Sequence, residues 1–376
     1  MRHLKTSIGI AAAALTAGAF FISNEALAEN WTGFLKTPAR SSYVERAVQP
    51  PLSLKWRFET KGPVYSSPAV FEGKVFVGSY DKNLYAIDAE TGKPAWSFAT
   101  DGEVFSSPAV EAGKVFFGSK DGFVYAVEAA TGKLAWKHKT DEKILTSPLV
   151  SEGLVFIASN DLYLYALNAS DGKRVWRMKL PDYEKYSGVY ASPAYADGSI
   201  FIAGKNGIIY SSSAKSGGRN WSARTDSAVY ATPVVKDGTV YVASLSRNFY
   251  AIDAKTGKFV WRKGLSTDMV YSTPVVTRDR IYIAFKSGHI RAYNRNDGTE
   301  VSDWQLGAEI NSTPVIAGNG TLYIGSEDGF IYALDAKTGS VLWKYATGGG
   351  VHSSPAAVDN NLYIGSEDGS VYAFTK

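Results

Sequence analysis

The chain of 376 residues carries 40 Lys and Arg against 36 Asp and Glu, a formal net charge of +4, with 45% hydrophobic residues and no cysteine. Charges of both signs are spread over many short turns, which excludes a basic stripe for nucleic acid. The missing cysteines exclude disulfides and lipid attachment through a thiol, and a chain this long normally divides into domains unless its core is distributed over repeats.

In chain order, residues 1–28 read as a secretory leader. Arg2 and Lys5 give a positive start, Ile8 to Ile22 is apolar, and Ala26-Leu27-Ala28 offers a small-x-small cleavage site. The apolar run is shorter than the roughly 20 residues of a membrane span. Cleavage after Ala28 is expected, leaving a non-lipidated mature chain in the periplasm or outside the cell. Residues 29–53 form an arm: Asn30-Trp31-Thr32-Gly33-Phe34-Leu35, then Thr37-Pro38-Ala39-Arg40-Ser41-Ser42, ended by Gln49-Pro50-Pro51. The arm is expected to lie as a clip over the main fold.

Residues 54–376 are repeats. Their marker prolines are Pro68, Pro108, Pro148, Pro193, Pro233, Pro274, Pro314 and Pro355, a period near 40 that indicates an array of four-stranded units. In the copy that starts at Val104, Val104-Phe105-Ser106-Ser107 is expected as a short strand ending at proline, and Lys114 to Ser119 as the second strand. Lys120-Asp121-Gly122 is a hairpin turn, Phe123 to Glu128 the third strand, and Leu134 to His138 the fourth. Trp96, Trp136, Trp176, Trp221, Trp261 and Trp343 each follow a turn glycine by four residues, and Trp304 follows Gly298 by six. One indole per unit predicts a girdle in which each packs on the next unit.

The pattern Ala86-Ile87-Asp88-Ala89-Glu90-Thr91-Gly92-Lys93-Pro94-Ala95-Trp96 resembles the tryptophan-docking motif of PQQ-repeat propellers, and the likeness spans essentially the whole mature chain. That family includes the quinoprotein alcohol dehydrogenases and the BamB-type outer-membrane assembly factors. The resemblance implies an all-β, eight-bladed β-propeller. The last copy stops one strand short at Phe374, while Leu54 to Thr60 aligns with the segment around Trp96. The N-terminal strand is therefore expected to complete the eighth blade and close the ring.

Candidate site residues come from positions where the repeat varies. The position two before each Ser/Thr-Pro pair reads Tyr65, Phe105, Leu145, Tyr190, Tyr230, Tyr271, Asn311 and His352, and these residues are expected at the mouth of the central channel. They read either as blade packing or as an aromatic funnel for a flat ligand or a partner's loop. Pro181 to Ser187 is an insertion carrying Tyr183 and Tyr186, and blade 6 departs from the pattern at Phe285 and Arg291. With Arg224 and Asp268, these positions outline a candidate partner face across blades 3 to 6.

No catalytic set emerges. His138, His289 and His352 lack metal-ligand spacing, and no metal site is expected. The aspartates of the Ser-x-Asp-Gly turns, Asp121, Asp328 and Asp368, read as hairpin chemistry. A quinoprotein would need a bound quinone, a divalent cation on carboxylate and amide oxygens, and a carboxylate base. Glu103, Glu142, Asp268 and Glu309 are scattered over different loops. The expectation is a monomeric, non-catalytic, exported scaffold for a cell-envelope or extracellular protein partner, with no cofactor. The alternatives are a PQQ-dependent dehydrogenase or quinone-binding protein, and a subunit of an electron-transfer or polysaccharide complex.

Overall fold

The computed structural model describes residues 30–45, 49–181, 188–245, 247–265 and 268–376. The expected leader, Tyr183 and Tyr186 lie outside the described residues. Eight four-stranded antiparallel sheets stand around one channel. Blade 2 shows the plan: Ala109–Glu111, Lys114–Gly118, Phe123–Glu128 and Leu134–Lys139 run from the channel outward. In the second and third strands residues of both faces are buried, because each blade is sandwiched between two others.

One expectation needs correction. Val104 to Ser107 is not a strand; the innermost strand begins after the proline, at Ala109. The physical reason is that this segment bonds between blades and through its side chains. The Val104 N–H donates to the Ser79 carbonyl of blade 1, and Ser106 Oγ accepts from the Gly118 N–H. The Ser107 N–H donates to Ser147 Oγ of blade 3.

That last contact recurs around the whole molecule. The Ser or Thr before each marker proline donates its N–H to the hydroxyl of its counterpart in the next blade. Ser67, Ser107, Ser147, Ser192, Thr232, Thr273, Thr313 and Ser354 form a closed circle of bonds 2.9–3.2 Å long. A buried N–H without a partner costs about 1–3 kcal/mol, so the hydroxyl at this position is a structural requirement.

The girdle forms as expected. Seven indoles donate from Nε1 to a backbone carbonyl beyond their own blade, at 2.9–3.3 Å. The rings of Trp56, Trp96, Trp136, Trp176, Trp221, Trp261 and Trp304 each rest on the turn glycine of the following blade. An added Cβ at Gly132, whose φ is +71°, would come within 2.7 Å of the Trp96 ring. Glycine is needed there twice, for the left-handed backbone and for the close approach.

Ser53–Glu59 pairs antiparallel with Ser370–Thr375 and completes blade 8, as the alignment of Trp56 predicted. Trp343 of blade 7 donates to the Leu52 carbonyl, which stands in for the turn that blade 8 lacks. The core lies between blades: Phe76 and Leu84 of blade 1 pack with Val104, Phe117 and Tyr125 of blade 2.

The arm does more than clip the surface. Trp31 bridges Val70 of blade 1, and the Thr32, Pro38, Ala39 and Ser42 carbonyls accept from Val110, Tyr195, Val235 and Ile316. It thus crosses the channel from blade 1 to blade 7, where Tyr43–Val44 adds a parallel fifth strand. Arg40 points into the channel and is 2% exposed. Its guanidinium donates to the carbonyls of Phe34 (2.8 Å), Pro193 (2.7 Å), Pro148 (3.2 Å) and Ser147 (3.3 Å). Burial lowers this group to about 9, so it is still charged at neutral pH. One end of the channel is closed.

Candidate functional site

The other end is open. Because the linkers to the innermost strands all arrive at this end, each blade contributes one variable residue to the rim and one Ser or Thr to the wall below. Tyr65, Phe105, Leu145, Tyr190, Tyr230, Tyr271, Asn311 and His352 line a single cavity of about 420 Å³, and Phe34 from the arm lies at its floor. The hydroxyl circle forms the wall. The structure therefore brings together the eight rim positions singled out from the sequence.

Two arcs of aromatic side chains face each other. Tyr190, Tyr230 and Tyr271 have ring centres 5.1 and 5.6 Å apart, and Tyr65 lies 6.0 Å from Phe105. Lys205 Nζ sits 4.5 Å over Tyr190, and Lys286 Nζ 5.8 Å over Tyr271. Such contacts hold a ring flat while leaving its outer face to solvent. Tyr190 is 40% exposed, high for a large aromatic side chain on a rigid frame.

The polar corner lies between blades 7, 8 and 1. His352 Nε2 is 2.7 Å from Glu327 Oε1 and 3.1 Å from Glu367 Oε1. Asn311 donates to Glu327 Oε1 at 2.9 Å, and the Tyr65 ring meets the His352 imidazole edge to face at 5.1 Å. Burial works to raise the Glu327 carboxyl, but hydrogen bonds from His352 and Asn311 overcome it and hold the group below its usual value. Burial first, and then the charge and hydrogen bond of Glu367, push the Tyr65 hydroxyl up to about 12.

Sequence reasoning missed Glu327, Glu367, Phe34 and Arg40. The two glutamates had a readable signal. The residue after the turn serine is Tyr80, Lys120 or Asn160 in the first three blades but Glu327 and Glu367 in the last two. The histidine spacing carried no such signal, because Glu327 and His352 come from different blades.

The other deviations resolve differently. Arg291 donates to Asp303 Oδ2 at 2.9 Å and lies 4.6 Å over the Phe285 ring, so the oddities of blade 6 compensate one another. Asp268 accepts from the N–H groups of Met269 and Ser287 and braces its own loop. Arg224 flanks a shallow depression beside Lys205 and Tyr230. Asp121 accepts from the Phe123 N–H and the Tyr125 hydroxyl, a turn lock repeated at Asp328 and Asp368.

Fold, docking girdle and repeat period together define an eight-bladed β-propeller of the PQQ-repeat class. Residues 50–283 match the family described as the beta-propeller of beta-alanine-activating enzyme, and the chain belongs to that family. Residues 286–376 match the family described as outer membrane protein assembly factor BamB. No curated protein matches the chain. Among solved structures, BamB from Moraxella catarrhalis is 20% identical, with a TM-score of 0.77 over 86% of this chain and 100% of that one. A europium-containing methanol dehydrogenase is 15% identical, with a TM-score of 0.78 over 92% of this chain and 98% of that one. The quinohemoprotein alcohol dehydrogenase from Comamonas testosteroni is 17% identical, with a TM-score of 0.77 over 92% and 80%. At such identities the likeness is one of fold. No helix among the described residues is long and apolar enough to cross a membrane.

Proposed function

We propose that this protein is an exported, non-catalytic scaffold of the BamB-like kind, which holds a segment of a protein partner in the open end of its channel. One observation carries the reading: five aromatic side chains from five blades, Tyr65, Phe105, Tyr190, Tyr230 and Tyr271, converge on a single blind funnel. Rigid aromatic side chains give large contact area at low entropic cost, which suits them to anchor a partner. Export rests on residues 1–28, whose charge, apolar run and Ala26-Leu27-Ala28 site fit a leader.

A quinone-binding reading draws on the same funnel. Glu327, Glu367 and Asn311 offer carboxylate and amide oxygens of the kind a divalent ion beside a quinone requires, next to an aromatic-lined cavity of about 420 Å³. The residues that line the funnel carry no carboxylate, so a separate carboxylate base has no candidate among them. The residues fit binding better than turnover.

The test uses the full mature chain as bait in an envelope extract. Replacing Tyr190, Tyr230 and Tyr271 together by Ser is expected to weaken capture of the partner at least about tenfold, or 1.4 kcal/mol, with folding intact. Equal capture by the triple variant, with loss on changing the turns around Lys133 and Lys258, would move the working face to the other end. Stoichiometric PQQ uptake would favour the quinone reading.

A further inference from the structure

Blades 7 and 8 differ from the other six in two registers, and blade 8 carries a third feature that brings the first two together. The rim position carries Asn311 and His352 where five other blades carry an aromatic residue. The residue after the turn Ser, or its equivalent, is Glu327 and Glu367, whereas Lys120, Lys205 and Lys286 occupy it in blades 2, 4 and 6. Two residues before His352 the linker of blade 8 has Gly350, where blades 1, 2, 3 and 7 have Pro63, Glu103, Lys143 and Glu309; blade 4, with Gly188, is the other blade with a glycine there.

The third change explains how the first two meet. A Cβ on Gly350 would lie 2.8 Å from Glu327 Oε2 and 3.1 Å from Glu367 Oε2. Glycine clears the space into which both carboxylates converge. Across that space stands the imidazole, with one donor atom of each of the three groups within 4.8 Å of the others. The Tyr65 ring and the Asn311 amide hold the imidazole and the Glu327 carboxylate from behind.

We propose that Glu327, His352 and Glu367 form a binding site for one divalent first-row transition-metal ion, with zinc the fitting probe. One imidazole nitrogen and two carboxylate oxygens are a mixed donor set of the kind such ions select, whereas calcium and magnesium favour oxygen throughout. Bonds of about 2.0–2.2 Å in tetrahedral geometry place donors roughly 3.4 Å apart. The present separations of 2.7 and 3.1 Å from His352 Nε2 would open by about 0.7 and about 0.3 Å, a shift within reach of two glutamate side chains. Two carboxylates and a neutral imidazole match the charge of the ion. Three protein ligands leave a coordination position for an outside oxygen donor, and His352 places the site at the edge of the funnel. The site stands whether the funnel takes a protein segment or a small molecule.

The full mature chain, stripped of metal by dialysis against a chelator, is titrated with zinc by calorimetry and with cobalt by visible absorption. One equivalent is expected to bind, with cobalt bands typical of a low-symmetry site. His352→Ala and Glu367→Gln should each weaken zinc binding at least tenfold, and Gly350→Ala should weaken it by crowding the carboxylates. Glu309→Gln, at an acidic group paired with Lys286 on a neighbouring linker, should leave it unchanged. The proposal is overturned if the unaltered chain binds no stoichiometric metal, or if folded Glu367→Gln and Gly350→Ala variants keep its affinity. Because no partner or quinone is present, failure here leaves the scaffold reading untouched, and the capture assay can fail without affecting this one.

Discussion

At one end of the channel the arm accepts backbone hydrogen bonds from blades 1, 2, 4, 5 and 7 and lodges Arg40 between blades 3 and 4. At the other end the same eight repeats present tyrosines and a histidine around an open cavity, with two carboxylates against the histidine. The closed end is assembled from backbone groups and one guanidinium, each of which needs a partner once water is excluded. The open end is assembled from side chains whose polar atoms can keep water. A repeat protein can therefore place stability on one face and recognition on the other without changing its blade. The indoles belong to the closed half, because their Nε1 atoms reach the turns on the arm side.

The largest effect should come from Trp56→Ala, which removes the indole of the strand that closes the ring. A loss of about 3–5 kcal/mol is expected, out of a total stability of roughly 5–15 kcal/mol, read by urea denaturation. A loss below about 1 kcal/mol would mean that the shared blade contributes little.

Next comes the direct contrast between the ends. Arg40→Ala leaves four carbonyls at the closed end without their donor and should cost about 2–3 kcal/mol. Tyr190→Ser with Tyr271→Ser, at the open end, should stay within about 0.5 kcal/mol of the unaltered protein. If the tyrosine pair proved the more costly, the division of labour between the ends would collapse. Ser107→Ala tests the hydroxyl circle between them. The Ser67 N–H loses its acceptor, and a cost of about 1–2 kcal/mol is expected in the same assay.

The smallest effect is one of pH and concerns the arm-side turns. Asp88 and Asp253 are held below the ordinary value of 3.8 chiefly by the Thr91 and Thr256 hydroxyls, and Asp335 chiefly by the Thr338 N–H. A carboxyl with a lower pKa in the folded state stabilises the fold above its unfolded value and loses that contribution as pH falls through the folded one. Melting temperature should therefore drop from about pH 5 to about pH 3. Asp88→Asn combined with Asp335→Asn should make that drop shallower. An unchanged slope would show that carboxylates elsewhere dominate the acid response.

Much of this architecture was legible in residue order. The proline period counted the blades, Trp56 revealed the closing strand, and the eight rim residues fell at one repeat position. Each depends on contacts between equivalent positions of neighbouring blades, so periodicity along the chain becomes adjacency in space. The extent of the innermost strand was misjudged because Ser106 and Ser107 spend their hydrogen bonds on side-chain and inter-blade contacts, which look like β-propensity in a linear reading. Tertiary structure alone decided the rest. Arg40 belongs to a non-repeating arm, and its four carbonyl partners lie in three separate stretches of chain. Glu327, His352 and Glu367 come from two blades and meet only because the ring curves and Gly350 leaves room. A local repeat encodes its own neighbours; it does not encode what a curved array brings together across its axis.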